Sequence, residues 1–323
     1  MKKYLFLFCI FSLICCETKT PADKHTNAPN ELNITVKIDT FKISPKGSLS
    51  EVAFSRNNFY TIFESQRKNT SGSFKKMMVL NSKGGFIEDV FVPEKIQDMP
   101  HFQINVENDS LYVKESQFEE NNFLLGEYVA DLELVPNRNF KVFQDSKFNV
   151  YKNCNGEFGG TIYFQDRKTK EIYEANSSCP TVINKIGSKY YVTNADFDFG
   201  SIIEVSDPTK LQNSKFDFDK RYGSNFTKGI KVLIQTDYDL ILTTSFIVNG
   251  KLVSLCSDEK TTYIGEIQNG KMKLLYNFGF KFHSQFMQQL KNGKQILTCY
   301  ILKSKKDAIM TIDKNKIELH LIK

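Results

Sequence analysis

Apolar positions in this chain come in short bursts. From Thr35 to Lys323, apolar or aromatic segments of four to seven residues recur, each bounded by Asn, Asp, Gly, Lys or Ser. Bursts of that length, closed by turn formers, predict strands. Sustained helical spacing is absent. Its best approximation, His283-Ser284-Gln285-Phe286-Met287-Gln288-Gln289-Leu290, covers barely two turns.

Several bursts resemble one another. Asn58-Phe59-Tyr60-Thr61-Ile62-Phe63-Glu64 matches Ser110-Leu111-Tyr112-Val113-Lys114-Glu115, Gly160-Thr161-Ile162-Tyr163-Phe164-Gln165-Asp166 and Ser188-Lys189-Tyr190-Tyr191-Val192-Thr193-Asn194. Looser copies stand at Tyr238–Thr244 and Gly293–Thr298. Most have an apolar segment before them and another after. This strand–turn–strand texture resembles the blades of NHL-type β-propellers, and it implies an all-β propeller over residues 35–323, with six blades and room for five or seven. Tyr163 and Tyr191 stand too close for two full blades, so the repeat is irregular there. A pair of β-sandwiches is the rival architecture. The strand at Ile34–Ile38, or the one at Phe41–Ile43, is placed to complete the last blade. Closing a ring hides strand edges, and 28 Phe without any Trp fit packing between blades.

Ahead of this body the pattern changes twice. Residues 1–15 open with Lys2 and Lys3 and continue as an apolar run from Tyr4 to Cys15, too short to span a membrane. The run ends in Leu13-Ile14-Cys15-Cys16, which resembles the lipobox of bacterial lipoprotein signal peptides, with Cys15 where Gly, Ala or Ser is commoner. The resemblance implies cleavage before Cys16, acylation (palmitate among the chains) of Cys16, and an address in the cell envelope at the outer membrane. Residues 16–34 are polar and lack apolar spacing, which reads as a tether.

Charge narrows the partners. The formal net charge is +6, and Lys2 and Lys3 leave with the signal. Lysines gather only in short runs such as Lys303–Lys306, so no nucleic-acid surface is read from them. An exported chain meets oxidising conditions, and Cys154 and Cys179, both in turn-like surroundings, are candidates for a disulfide. Cys256 and Cys299 lie in apolar runs and read as buried thiols.

No nucleophile elbow, phosphate-binding loop, dinucleotide fingerprint or zinc-protease motif occurs. One site can be assembled from the repeats. Glu64, Glu115, Asp166 and Asn194 end four of the repeated strands, and in register they would stand at one height around an axis, a donor set suited to Ca²⁺. The same side chains also serve to satisfy backbone groups in turns. Asp196 and Asp198 form a partial calcium loop. Tyr190-Tyr191 with Phe197 and Phe199 offer an aromatic shelf for a sugar or peptide, and His101 and His283 each begin a repeat. No resident cofactor is otherwise indicated. The expectation is therefore a membrane-anchored propeller that binds a protein or small-molecule ligand on one face. A calcium-dependent hydrolase or lactonase is the alternative, and a structural subunit of an envelope complex is a third reading.

Overall fold

The computed structural model describes residues 32–66, 73–99, 102–107, 110–115, 122–125, 134–135, 141–154, 159–195, 200–216 and 222–323. Cys16, His25, His101 and Asp196–Phe199 lie outside them.

The described residues form six sheets that follow one another along the chain. The first holds Ser48–Ser55, Asn58–Gln66, Ser73–Asn81 and Phe86–Val90. The second holds Phe102–Glu107, Ser110–Glu115, Asn122–Leu125 and Leu134–Val135. Phe143–Gln144, Phe148–Cys154, Gly160–Asp166 and Ile172–Asn176 make the third, with Gln212–Ser214 added at its edge. The fourth consists of Pro180–Ile186, Lys189–Ala195, Gly200–Val205 and Ile230–Thr236, and the fifth of Ile241–Val248, Lys251–Ser257, Thr262–Gln268 and Lys271–Asn277. Phe282–Gln289, Gln295–Ile301, Lys306–Asp313 and Lys316–Ile322 make the sixth, with Thr35–Phe41 as a fifth strand. His283–Leu290 is thus strand rather than helix: Phe282–Gln289 pairs with Gln295–Ile301, and a bulge at Phe286/Gln288 breaks its alternation.

The first strands of neighbouring sheets touch: Ser48–Ser55 meets both Phe102–Glu107 and Phe282–Gln289, and Ile241–Val248 meets both Pro180–Ile186 and Phe282–Gln289. They run the same way, with equivalent positions meeting across sheets: Ile104 N–H donates to Glu51 Oε2 (3.2 Å), Phe54 N–H to Gln288 Oε1 (2.7 Å), and Thr243 Oγ1 and Ser284 Oγ share a hydrogen bond. Face-packed four-stranded sheets with inner strands in common direction define the fold. It is a β-propeller. Its near end is where the inner strands begin, and its far end is where they finish.

Hairpin chemistry sets the registers. Asn249-Gly250 and Asn269-Gly270 both take left-handed φ values (50° and 77°; 52° and 74°), the two-residue turn that matches strand twist. Between them, strands such as Lys251–Ser257 alternate apolar residues toward both neighbouring sheets.

Two strands depart from a plain four-strand repeat. Thr35–Phe41 does not supply a missing fourth strand. It lies outside Lys316–Ile322 and parallel to it, with Asp39 opposite His320. There His320 Nδ1 is 2.5 Å from Asp39 Oδ1, and the imidazole stacks on Phe41 at 4.4 Å. Gln212–Ser214 comes from an insertion between the third and fourth strands of the fourth sheet, yet it pairs with Ile172–Asn176 of the third. Glu174, fully buried, holds this insertion at both limbs by accepting from Ser214 Oγ (2.7 Å) and Ser224 Oγ (3.1 Å). Where the insertion returns, Gly223 lies so close to Gly160 that a Cβ on Gly223 would stand 2.3 Å from the Gly160 nitrogen, so only glycine fits.

Five buried apolar clusters fill five spaces between sheets. Ala53, Ile62, Ile104 and Val113 join the first and second; Val150, Phe164, Ile183 and Tyr190 the third and fourth; Ile202, Leu242 and Cys256 the fourth and fifth; Leu255, Phe282 and Leu297 the fifth and sixth; Val52, Phe63, Ile296 and Ile309 the sixth and first. Among the described residues, no such cluster fills the space between the second and third sheets.

Candidate functional site

Among the described residues, that sixth space is lined by polar groups. Strand alternation turns Ile104 and Val113 toward the first sheet, so Asn105, Glu107 and Lys114 face the third. Likewise Phe148 and Val150 turn toward the fourth sheet, leaving Asn149, Tyr151 and Asn153 to face the second. The two sides sense each other. Burial first, and the charge of Glu107 second, hold the Tyr151 phenol above its ordinary value. Burial lowers the Lys114 amine, and it lowers Lys152 to about 8 with help from the Lys114 charge.

Three asparagines in this seam carry buried atoms with no hydrogen-bond partner: Asn105 Nδ2, Asn149 Oδ1, and both Nδ2 and Oδ1 of Asn153. Ser254 and Gln289 hold one such atom each elsewhere. The Asn149 amide is half satisfied, donating to Gln165 Oε1 at 3.4 Å. Aromatic rings wall the seam from outside. Phe216, from the insertion, packs edge-on against Tyr151 (4.9 Å between centroids) and Tyr163 (5.7 Å).

Several comparable residues of the fourth, fifth and sixth sheets are engaged with one another. Asn184 Nδ2 donates to Ser245 O (3.0 Å) and Ser245 Oγ (2.8 Å), and Gln295 Nε2 donates to Ser245 O at 2.6 Å. Thr193 Oγ1 shares a hydrogen bond with Ser245 Oγ, and Thr244 Oγ1 donates to Gln295 Oε1 (2.7 Å). The partners of Ser245 are amides, hydroxyls and carbonyls, with no base to activate it. This network staples three sheets. Most polar residues in this network have partners, whereas the seam gathers four unpartnered amide atoms on three asparagines.

The four residues expected to ring the axis do not come together. Glu64, Glu115 and Asn194 end second strands and lie at the near end, one strand out from the inner strands, opposite Ser48, Phe102 and Pro180. Asp166 ends a third strand, pairs with Phe148 and lies at the far end. Its Oδ1 accepts from the N–H groups of Lys168 (2.8 Å) and Thr169 (3.0 Å), which hold its carboxyl down together with nearby lysines. Asn194 is buried, accepting from Ser177 Oγ (2.5 Å) and donating to Ser201 Oγ (2.8 Å). The side chain of Glu115 lies outside the described residues. Among those residues, no group of three His, Cys, Asp or Glu side chains gathers closely enough to hold a metal ion.

The cause is a shift of phase. The second strand of the third sheet is Phe148–Cys154, and that of the fifth is Lys251–Ser257, so the segments around Tyr163 and Tyr238–Thr244 belong to a third and a first strand. This also explains the close spacing of Tyr163 and Tyr191. Of the expected aromatic shelf, Phe197 and Phe199 lie outside the described residues. Tyr190 is core, packed on Phe164 (5.2 Å) and Phe148 (6.0 Å), with its hydroxyl donating to Asp145 Oδ2 at 2.5 Å. Burial works against the Asp145 carboxylate, but Lys185, Tyr190 and backbone N–H groups hold it at about 2.

Cys154 and Cys179 are joined, with Cα atoms 4.4 Å apart, tying the second strand of the third sheet to the start of the fourth at the near end. Cys256 and Cys299 are buried free thiols, raised by burial. His283 is exposed on an inner strand. The seam itself escaped the repeat pattern, although Asn149-x-Tyr151-x-Asn153 and Asn105-x-Glu107 put polar groups on one face of strands that should bury both.

No family model matches the chain, and no curated protein matches it. Among solved structures it is similar to the β-propeller domain of the Trilobed protease from Pyrococcus furiosus, at 12% identity and a TM-score of 0.38, covering 84% of this chain and 95% of that one. It is similar also to the Swd1 β-propeller domain of Myceliophteria thermophila (12%, 0.39, covering 84% and 99%) and to the WD40 domain of SCAP from fission yeast (9%, 0.35, covering 84% and 68%). These likenesses are distant, and the fold is assigned from the sheets themselves.

Proposed function

We propose that the protein is a membrane-anchored binding propeller whose ligand occupies the seam between the second and third sheets. The observation that carries this reading is the set of unpartnered amide atoms on Asn105, Asn149 and Asn153, in an inter-sheet space that holds no apolar cluster among the described residues. A buried donor or acceptor without a partner costs roughly 1–3 kcal/mol. Folds tolerate that cost where a ligand relieves it.

The chemistry of the seam selects the ligand. It offers donors and acceptors side by side, with the Tyr151 phenol and the Lys114 amine beside them. An uncharged ligand with alternating donors and acceptors, as in an oligosaccharide or a peptide backbone, complements the asparagines. Among the described residues no nucleophile paired with a base stands there, which favours binding over catalysis. The anchor rests on the lipobox at Leu13–Cys16 and the polar stretch that follows it.

Screening the mature chain against printed oligosaccharides and short unmodified peptides tests the seam. Binding that disappears in the Asn105→Ala, Asn149→Ala, Asn153→Ala triple variant supports the reading, and a blank panel argues against it. Incorporation of labelled palmitate into the wild type, absent from Cys16→Ser, tests the anchor separately.

A further inference from the structure

The far end of the propeller is both its basic end and the end where the N-terminal segment arrives. Thr35 pairs with Lys316, the first residue after a third–fourth turn, so the parallel strand Thr35–Phe41 starts at the far end. Neighbouring turns hold the segment there. Thr35 N–H donates to Asn315 O (2.8 Å), Asn315 Nδ2 to Asn33 O (2.9 Å), and Asn249 Nδ2 to Leu32 O (3.3 Å).

Every described turn joining first to second or third to fourth strands at this end carries Lys or Arg, in the turn or on the residue that follows it. The densest group belongs to the third sheet, where Lys147 and the hairpin Arg167-Lys168-Thr169-Lys170 line a shallow depression of about 590 Å³. Asp166 is the one carboxylate lining it, and its Oδ1 is engaged by two backbone N–H groups. Arg167 fixes the hairpin by donating to Asp145 O at 2.8 Å. At the near end acids stand among the lysines, as in Asp258-Glu259-Lys260 and Asp237-Tyr238-Asp239, and the run Lys303-Ser304-Lys305-Lys306 is followed by Asp307.

We propose that the far end docks on an anionic phospholipid surface, with Lys147, Lys168 and Lys170 as principal contacts. This rests on the reading of Cys16 as the lipid anchor. The chain from Cys16 to Leu32, at most roughly 55 Å when extended, joins the body at the far end and keeps that end within reach of the bilayer. Attraction between lysines and acidic headgroups fades within about 8–10 Å at physiological salt, so it acts only on a face already brought close. Held this way, the near end points away from the membrane.

The test uses the mature chain from residue 16 carrying Cys16→Ser, so that no acyl chain contributes. Co-flotation is measured with phosphatidylcholine vesicles and with vesicles containing a third phosphatidylglycerol, at low and high salt. The expected result is a preference for the anionic vesicles of at least about tenfold, lost at high salt and in the Lys147→Glu, Lys168→Glu, Lys170→Glu triple variant. A Lys→Gln triple with an unchanged melting temperature guards against misfolding and should show an intermediate loss. Equal partitioning into both vesicles, or unchanged binding by both triples, overturns the proposal. Binding of an acidic protein but not of anionic vesicles overturns it too. Failure of the anchor reads out differently: palmitate would not label the wild-type chain, whatever the vesicles show.

Discussion

The Glu107 carboxylate and the Tyr151 phenol face each other between the second and third sheets, and that charge adds to burial in raising the phenol above its ordinary value. In the other five inter-sheet spaces, buried aliphatic and aromatic residues occupy the contact. A propeller holds together by burying apolar faces between its sheets. One polar seam therefore lowers stability, a cost that a ligand bound there, as proposed, would offset.

Filling the seam with hydrocarbon should stabilise the fold. Asn153→Leu removes two buried unpartnered atoms and Asn105→Leu removes one. Each relieved atom returns up to roughly 1–3 kcal/mol, and in a domain of this size 1 kcal/mol moves the melting temperature by roughly 2–4 °C. Differential scanning calorimetry should show midpoints above wild type. A clear fall would mean that the amides hold the sheets together.

Glu51 makes stability fall with rising pH. Burial raises its carboxyl to about 8, the N–H of Ile104 opposes this, and the charge of Glu64 adds to it. The folded state thus holds the proton more tightly than the unfolded chain. Its contribution is full below the ordinary carboxylate range and is lost as pH climbs toward 8. Glu51→Gln keeps an acceptor for Ile104 and never ionises. Its melting temperature should exceed wild type by several degrees at pH 8 and match it near pH 4, and equal curves at both would refute the assignment.

Reduction should loosen the join between the third and fourth sheets. The Cys154–Cys179 bond closes a loop with a sequence separation of 25, worth about 3 kcal/mol by chain entropy. Dithiothreitol should lower the wild-type midpoint by roughly 6–12 °C and leave the Cys154→Ser, Cys179→Ser variant, already lowered, where it is. The buried thiols of Cys256 and Cys299 should stay unreactive toward iodoacetamide until the protein unfolds.

The insertion should detach when its anchor is cut. Glu174→Ala strands the hydroxyls of Ser214 and Ser224, which donate to it in the native protein. Limited trypsin digestion should then cleave at Lys215 much faster than in wild type. Because Phe216 covers Tyr151 and Tyr163, the same variant should weaken ligand binding at the seam. Unchanged cleavage would place the anchor elsewhere.

The all-β reading was available because strand length and turn chemistry are local, as in Lys251–Ser257 between Asn249-Gly250 and Asp258. Phase was harder. The inner strand of the third sheet, Phe143–Gln144, spans two residues and leaves almost no pattern, so the conspicuous Gly160–Asp166 reads like the second strands of other sheets. That one slip moved Asp166 to the wrong end and made a metal ring conceivable. The partner of Gln212–Ser214 was also out of reach, since it is chosen by tertiary contacts around Glu174. The seam depends on which faces of two strands oppose each other, and periodicity alone does not say which sheets are neighbours.

Calorimetric titration of the strongest hit from the oligosaccharide and peptide panel into wild type and into the Asn105→Ala, Asn149→Ala, Asn153→Ala variant tests the central claim. Saturable binding to wild type that drops at least about tenfold in a variant with an undiminished melting temperature is the result expected, roughly 1.4 kcal/mol of lost affinity. Equal affinity for both proteins would contradict the account and send the ligand to another face.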